Sequence, residues 1–325
     1  MILITGANGL VGSFLCRALI HRGEKVRAFV RKNSDCSLLD DIKSQLDFAI
    51  GDINDVGSLV DAMQGITYII HTAAIISFWK KKREDMFHVN VEGTSNVVNT
   101  ALNFGVKKML HVSSVAALGR KKAIVSIDEE NKWEESSLNT AYANTKYQAE
   151  LEVYRGIEEG LNAVIVNPSV ILGPGLKGTS SVRLFEYVYT GNKYYTKGYL
   201  NYVDIRDLID SILYLLFQEN NGEVRYIVNS GTIQYKHFFE AIAKELNVKA
   251  PGVLATPWMR EIVWRLGAFS SFFSGKEPLI TKETARNASA HFEYSSQKLI
   301  KETNVVFRPL SDTIRWSCNI LFNNK

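Results

Sequence analysis

The chain opens on an apolar run, Ile2-Leu3-Ile4, that breaks directly into Thr5-Gly6-Ala7-Asn8-Gly9-Leu10-Val11-Gly12. An unalternating apolar run suits a strand covered on both faces. Glycines spaced G-x-x-G-x-x-G permit a tight turn, close approach of the backbone to a pyrophosphate, and close packing of the following helix on the strand. The N-terminus of that helix offers free N–H groups and the positive end of its dipole to an anion. Elsewhere such a triplet would read as a plain turn. Directly after the first strand, it predicts a dinucleotide phosphate site.

Short apolar runs alternate with helical patterns through the first two-thirds of the sequence. Strands are predicted at 1–4, 25–30, 46–50, 67–71, 108–113 and 162–167, and helices at 10–22, 55–63, 84–104 and 140–159. Strand, helix, strand in repetition implies an α/β fold with a doubly wound parallel sheet of the Rossmann type. The rhythm changes after Gly173-Pro174-Gly175. This assigns residues 1–172, with a return segment near 200–230, to a nucleotide-binding domain. Residues 173–199 and 231–325 form a smaller α+β substrate lobe, and a chain of 325 residues accommodates both.

A net charge of +4 carries no nucleic-acid footprint. The runs Lys80-Lys81-Lys82-Arg83 and Arg120-Lys121-Lys122 read as solvated loop faces. Cys16, Cys36 and Cys318 are scattered, without the spacing of a metal site or disulfide framework, and fit a reducing cytoplasm. The N-terminus reads as a strand, not an export signal. No apolar run is long enough to span a membrane. The aromatic stretch 257–273 reads as packing over a substrate cleft in preference to a membrane-surface helix, with Trp258, Trp264, Phe269, Phe272 and Phe273 as candidates for an apolar or aromatic wall.

Two further features bear on chemistry. The second strand ends in Arg31-Lys32, where an acid about 20 residues past the turn would bind the ribose 2′-hydroxyl of NAD. A guanidinium and an ammonium there favour a 2′-phosphate, so NADP(H) is the expected cofactor and NAD(H) the lesser alternative. Tyr142 and Lys146 lie four apart on a predicted helix and share a face. A cation beside a phenol lowers its pKa toward the range of useful proton transfer. His111-Val112-Ser113-Ser114-Val115-Ala116-Ala117-Leu118-Gly119 ends a predicted parallel strand, where polar side chains face the ligand crevice.

Together these motifs resemble the extended short-chain dehydrogenases/reductases, the NAD-dependent epimerase/dehydratase family. The likeness spans nearly the whole chain and implies a sheet of about seven strands. It points to Ser114 as the hydroxyl that aligns the substrate oxygen, with Ser113 as the fallback. Tyr142 becomes the proton donor or acceptor, and Lys146 the group that charges it and holds the nicotinamide ribose. Asn90, in Asn90-Val91-Glu92-Gly93-Thr94, resembles the family's helix asparagine, with a structural or relay hydrogen bond. The resemblance adds Asp52 and Ile53 at the adenine, and Thr72, Ala73 and Ala74 along the ribose. Val112, Pro168 and Val170 lie beside the nicotinamide. Asn8, Leu10 and Val11 join Gly6, Gly9 and Gly12 around the phosphates. His71 reads as a strand-end residue. Asp204 and Asp207, in a V-x-D-x-x-D segment, read as helix-start and hydrogen-bonding residues, and no metal site is expected.

Within that family, dihydroflavonol reductases and 3β-hydroxysteroid dehydrogenases are the nearer likeness. Pro168-Ser169 stands where many sugar-nucleotide enzymes carry Phe-Asn. Phe292–Lys298 and Leu279–Thr284 resemble reductase C-terminal segments. The expected activity is reduction of a carbonyl, or oxidation of a secondary alcohol, in a small apolar or aromatic substrate. A nucleotide-sugar epimerase and a non-catalytic NADP(H) sensor are the alternatives. A 4,6-dehydratase fits less well, because Val115-Ala116 stand where acids follow the strand-end serine. A homodimer through the helices 84–104 and 140–159 is also expected.

Overall fold

The computed structural model describes residues 1–120, 126–179, 181–219, 222–259, 261–262, 264–265 and 291–323. In chain order β1 (Ile2–Thr5), α1 (Leu10–His21), β2 (Val26–Val30), β3 (Asp47–Ile50), α2 (Val56–Met63) and β4 (Tyr68–His71) are followed by α3 (Arg83–Phe87), α4 (Gly93–Phe104) and β5 (Lys108–Val112). Next come β6 (Ser126–Ile127), α5 (Ala141–Glu158), β7 (Ala163–Pro168), β8 (Val170–Leu172), α6 (Val182–Tyr189), β9 (Tyr194–Tyr195), β10 (Tyr199–Asp204) and α7 (Ile205–Phe217). The chain continues through β11 (Arg225–Val228), β12 (Gly231–Gln234), α8 (Tyr235–Glu245), β13 (Val253–Leu254), β14 (Glu293–Tyr294) and the helices Gln297–Thr303 and Leu310–Cys318.

Seven strands form one parallel sheet in the order β11-β7-β5-β4-β1-β2-β3. Successive side chains of a strand face opposite sides, and β1 shows what that requires. Ile2 and Ile4 enter the core under α1 and α7, while Leu3 enters the core under α2, α4 and α5. All three are buried, each worth roughly 1.5–3 kcal/mol relative to exposure. The unalternating apolar run thus follows from having two covered faces.

The chain adds β2 and β3 on one side of β1 and β4 on the other, so the direction of winding reverses between β1 and β4. Ligands of open α/β sheets bind outside the carboxyl ends of the strands at such a reversal. Thr5 and His71 are register partners at that end, which places the glycine turn and the Thr72–Ala74 loop on either side of the crevice.

A second sheet, β12-β10-β8, runs separately, with β10 parallel to β8 and antiparallel to β12. Leu172, Phe185, Phe238 and Ile314 join it to α6, α8 and the helix Leu310–Cys318 in their own core. The predicted helix 84–104 is in fact α3, a π-helical turn His88–Glu92, and α4. Helical periodicity cannot register this one-residue bulge, and such bulges gather at functional sites. Among the described residues, no helix is long and apolar enough to cross a membrane.

Candidate active site

The glycine turn is built by backbone crowding. Gly6 has φ +69°, and a Cβ there would come within 2.8 Å of the Ala73 Cα. A Cβ on Gly12 would stand 2.3 Å from the Gly6 carbonyl oxygen. The Gly9 N–H donates to the Gly6 carbonyl at 3.0 Å, and Gly9 then caps α1 without a side chain. Thr72 ties the two sides of the crevice together, its hydroxyl donating to the Thr5 carbonyl at 2.7 Å. Leu10, Val11 and Gly12 lie in the first turn of α1, whose N–H groups have no helical acceptor. Asn8 donates from Nδ2 to the Asp35 carbonyl at 2.9 Å and braces the loop after β2.

Arg31 and Lys32 follow β2 directly, are exposed, and form no ion pair among the described residues. Asp52 is half-buried, and its Oδ1 accepts from the Asn54 N–H at 3.0 Å. Ile53 is buried and Ala74 is exposed. Pro168 ends β7, and Val170 opens β8 with 39% exposure. A turn that a Cβ at Gly6 or Gly12 would crowd, followed by free N–H groups, fits the pyrophosphate of a nicotinamide dinucleotide.

Tyr142, Lys146 and Glu150 fall at four-residue intervals on α5, which turns one face to the sheet. Thr140 caps the helix, its hydroxyl accepting from the Ala143 N–H at 3.1 Å. Lys146 is buried and donates from Nζ to the Val112 carbonyl at 3.1 Å. Ser114 leaves β5 in extended conformation, and its hydroxyl accepts from the Ala116 N–H at 3.2 Å and meets the Tyr142 phenol. Ser113 is buried on the Glu150 side and favours that carboxylate's charged form, without forming a well-made hydrogen bond.

Burial pushes the Tyr142 phenol up to about 12, and Ser114 only partly opposes the shift. The sequence reading expects Lys146 to lower that value. Instead, burial brings Lys146 itself down to about 8, with Glu150 resisting. Desolvation disfavours both charged forms, and Lys146 is not among the groups that act on the phenol. Phe78 closes over the phenol edge-on, with ring centroids 6.3 Å apart.

Beneath this pair lies a polar network. Glu150 is fully buried, and burial raises its pKa. Asn167 donates from one amide nitrogen to Glu150 Oε1 at 2.5 Å and to the Ser114 carbonyl at 2.9 Å. Arg225 approaches Glu150 Oε2 at 3.6 Å. The sequence reading did not single out Glu150. Extending the four-residue spacing of Tyr142 and Lys146 by one turn would have found it. Asn167 was noted within its motif, and only the fold shows what it holds.

Asn90 sits in the π-helical turn. It accepts from the Ile75 N–H at 2.7 Å and donates to the Ile75 carbonyl at 2.9 Å and to Thr145 Oγ1 at 3.0 Å. These bonds tie the Thr72–Trp79 loop to α5. His71 is locked between Thr5 Oγ1 at 2.6 Å and Thr94 Oγ1 at 3.0 Å, and burial holds it neutral, down to about 3. Asp204 caps α7 and pairs with Arg206 at 2.6 Å, and Asp207 pairs with Arg308. Among the described residues, no cluster of His, Cys, Asp or Glu could hold a metal ion. Trp258 is 64% exposed. Phe269, Phe272, Phe273, the stretch 279–284, Lys121 and Lys122 lie outside the described residues.

A glycine turn after β1, with a Ser–Tyr–Lys set after β5 and on α5, resembles the site of a class of nicotinamide-dependent enzymes. The profile of the NAD dependent epimerase/dehydratase family matches residues 2–231, and the chain belongs to that family, the extended short-chain dehydrogenases/reductases. It is therefore an enzyme of the oxidoreductase and epimerase superfamily, which uses nicotinamide cofactors. The chain is 29% identical to a putative dihydroflavonol 4-reductase of Synechocystis, over 97% of this chain and 94% of that one. It is 35% identical to sterol demethylase protein B of Methylococcus capsulatus, over 70% and 68%. Among solved structures, gox2253 superposes with a TM-score of 0.83 at 34% identity, covering 98% of this chain and 96% of that one.

Proposed function

We propose that this enzyme is an NADP(H)-dependent carbonyl reductase, or an alcohol dehydrogenase in reverse, with Tyr142 as the proton-transfer residue. The observation that carries the reading is the buried Tyr142 one helical turn from the buried Lys146 on the face of α5, beside the strand-end Ser114. The turn from Gly6 to Gly12 would hold the pyrophosphate, and Arg31 and Lys32 the 2′-phosphate. Asp52 and Ile53 would meet the adenine. Thr72, Ala73, Ala74 and Lys146 would meet the ribose side, with Val112, Pro168 and Val170 beside the nicotinamide. A reduced nicotinamide bound there supplies hydride to a carbonyl carbon.

The chain's own groups govern the oxygen. Ser114 donates a hydrogen bond to it and steadies its developing charge. Tyr142 releases its phenolic proton to the resulting alkoxide, a stronger base than a phenolate. Lys146, whose charge Glu150 favours, stabilises the phenolate left behind. In this reading residues 1–172 with 200–230 carry the cofactor, and 173–199 with 231–325 cap the substrate, which is small and apolar or aromatic. The protein acts in the cytoplasm, consistent with three free cysteines.

Anaerobic incubation with NADPH and a panel of aldehydes, ketones and nucleotide sugars tests the proposal. Stoichiometric NADPH consumption with an aldehyde or ketone is expected. Interconversion of nucleotide sugars without net consumption would establish the epimerase instead.

A further inference from the structure

Arg120 was read from sequence as part of a solvated loop face, yet it is half-buried. It ends the same short loop that Ser114 begins, after the turn Val115–Leu118 and Gly119. Its N–H donates to Asn139 Oδ1 at 3.0 Å, which fixes the backbone. Its Nε donates to the Tyr294 hydroxyl at 3.2 Å, and its guanidinium carbon lies 5.5 Å from the centre of the Phe292 ring. Asn201 holds the Phe292 carbonyl at 2.8 Å, and so joins this aromatic wall to β10. The guanidinium therefore lies where the strand-end loop meets the second sheet and the segment 291–294.

A guanidinium carries five N–H donors and no acceptor, and an enclosed charge is costly unless it is paired. Arg17, Arg27, Arg155, Arg206, Arg225 and Arg308 are also half-buried, and each has a carboxylate within ion-pair distance. Arg120 alone among the half-buried, described arginines has none. Tyr294 occupies only Nε, which leaves the two Nη groups of the fork for a bidentate anion. Val115–Leu118 is a single short 3-10 turn, so Ser114 and Arg120 belong to one compact loop.

We propose that Arg120 binds an anionic group of the substrate, a carboxylate or a phosphate, against the Phe292 and Tyr294 rings. The enzyme then takes carbonyl compounds that carry an acid group at the end remote from the reacting carbon. This rests on the reductase reading for the other end of the molecule, but its test does not use hydride transfer.

Benzoate, phenyl phosphate and benzamide are titrated into the full chain and followed by ligand-observed NMR. Benzoate should bind at least about tenfold more tightly than benzamide, the scale of a charge-assisted hydrogen bond. Arg120→Gln should erase that preference and leave benzamide unchanged. Arg120→Lys, which keeps the charge, should retain part of it and covers the case in which the glutamine variant does not fold. A tighter fit of phenyl phosphate than of benzoate would identify the anion as a phosphate, and the reverse as a carboxylate. The proposal fails if the parent protein binds neither benzoate nor phenyl phosphate better than benzamide, or if Arg120→Gln keeps the preference. Absence of any anion preference in the parent protein, while its NADPH-dependent carbonyl consumption persists, would remove the Arg120 proposal alone.

Discussion

Lys146 is the residue on which charge, burial and, in the proposed function, cofactor contact converge. Burial lowers it to about 8, so it holds its proton below that pH and releases it above. Tyr142, at about 12, stays protonated throughout. Carbonyl reduction should therefore fall as pH rises through about 8, with no counterpart limb from the phenol. Glu150→Gln removes the charge that raises the lysine's value, and the falling limb should move to lower pH. A pH–rate profile identical to the parent's would show that Glu150 does not act through Lys146. Arg31→Asp should weaken NADPH binding by about ten- to a hundredfold, by losing a charge-assisted contact and adding repulsion. Calorimetry showing equal affinity of the parent for NADPH and NADH would contradict the preference. Tyr142, Lys146 and Ser114 were legible because each is a residue type in a motif at a fixed spacing. The rise in the Tyr142 pKa was not, because it depends on how much protein surrounds the phenol.

The βα turn is the element whose form follows most directly from its residues. Gly12→Ala would place a methyl 2.3 Å from the Gly6 oxygen, where only backbone can yield. A stability loss of about 1–3 kcal/mol, the usual scale of overpacking, should accompany loss of NADPH binding in denaturant titration and calorimetry. Unchanged values for both would remove the turn from the cofactor site. Six of the seven main-sheet strands fall within a residue or two of their predicted bounds, since apolar runs between helical patterns mark them, while β11 was not predicted as a strand. The second sheet escaped the sequence reading. Its strands β8, β10 and β12 mix exposed, half-buried and buried positions, and short strands without clean alternation leave no periodic signal. The π-helical turn that carries Asn90 was hidden for the same reason.

At the scale of the whole molecule, assembly remains open to test. The inner faces of α4 and α5 are spent on the sheet and on each other. Phe87 and Leu151, at 42% and 46% exposure, remain for a partner. A homodimer by light scattering at micromolar concentration is expected, and a monomer would end that idea. In the proposed function, two distant stretches of chain, the turn at 6–12 and the face of α5, would complete one site across the winding reversal. The most direct measurement pairs NADPH affinity with turnover in Tyr142→Phe, which removes a single oxygen. Cofactor binding close to the parent's, with turnover down by about 10²–10⁴, the usual scale of positioned acid–base catalysis, is the expected result. Parental turnover on a confirmed substrate would contradict Tyr142 as the proton-transfer residue, even with the fold intact.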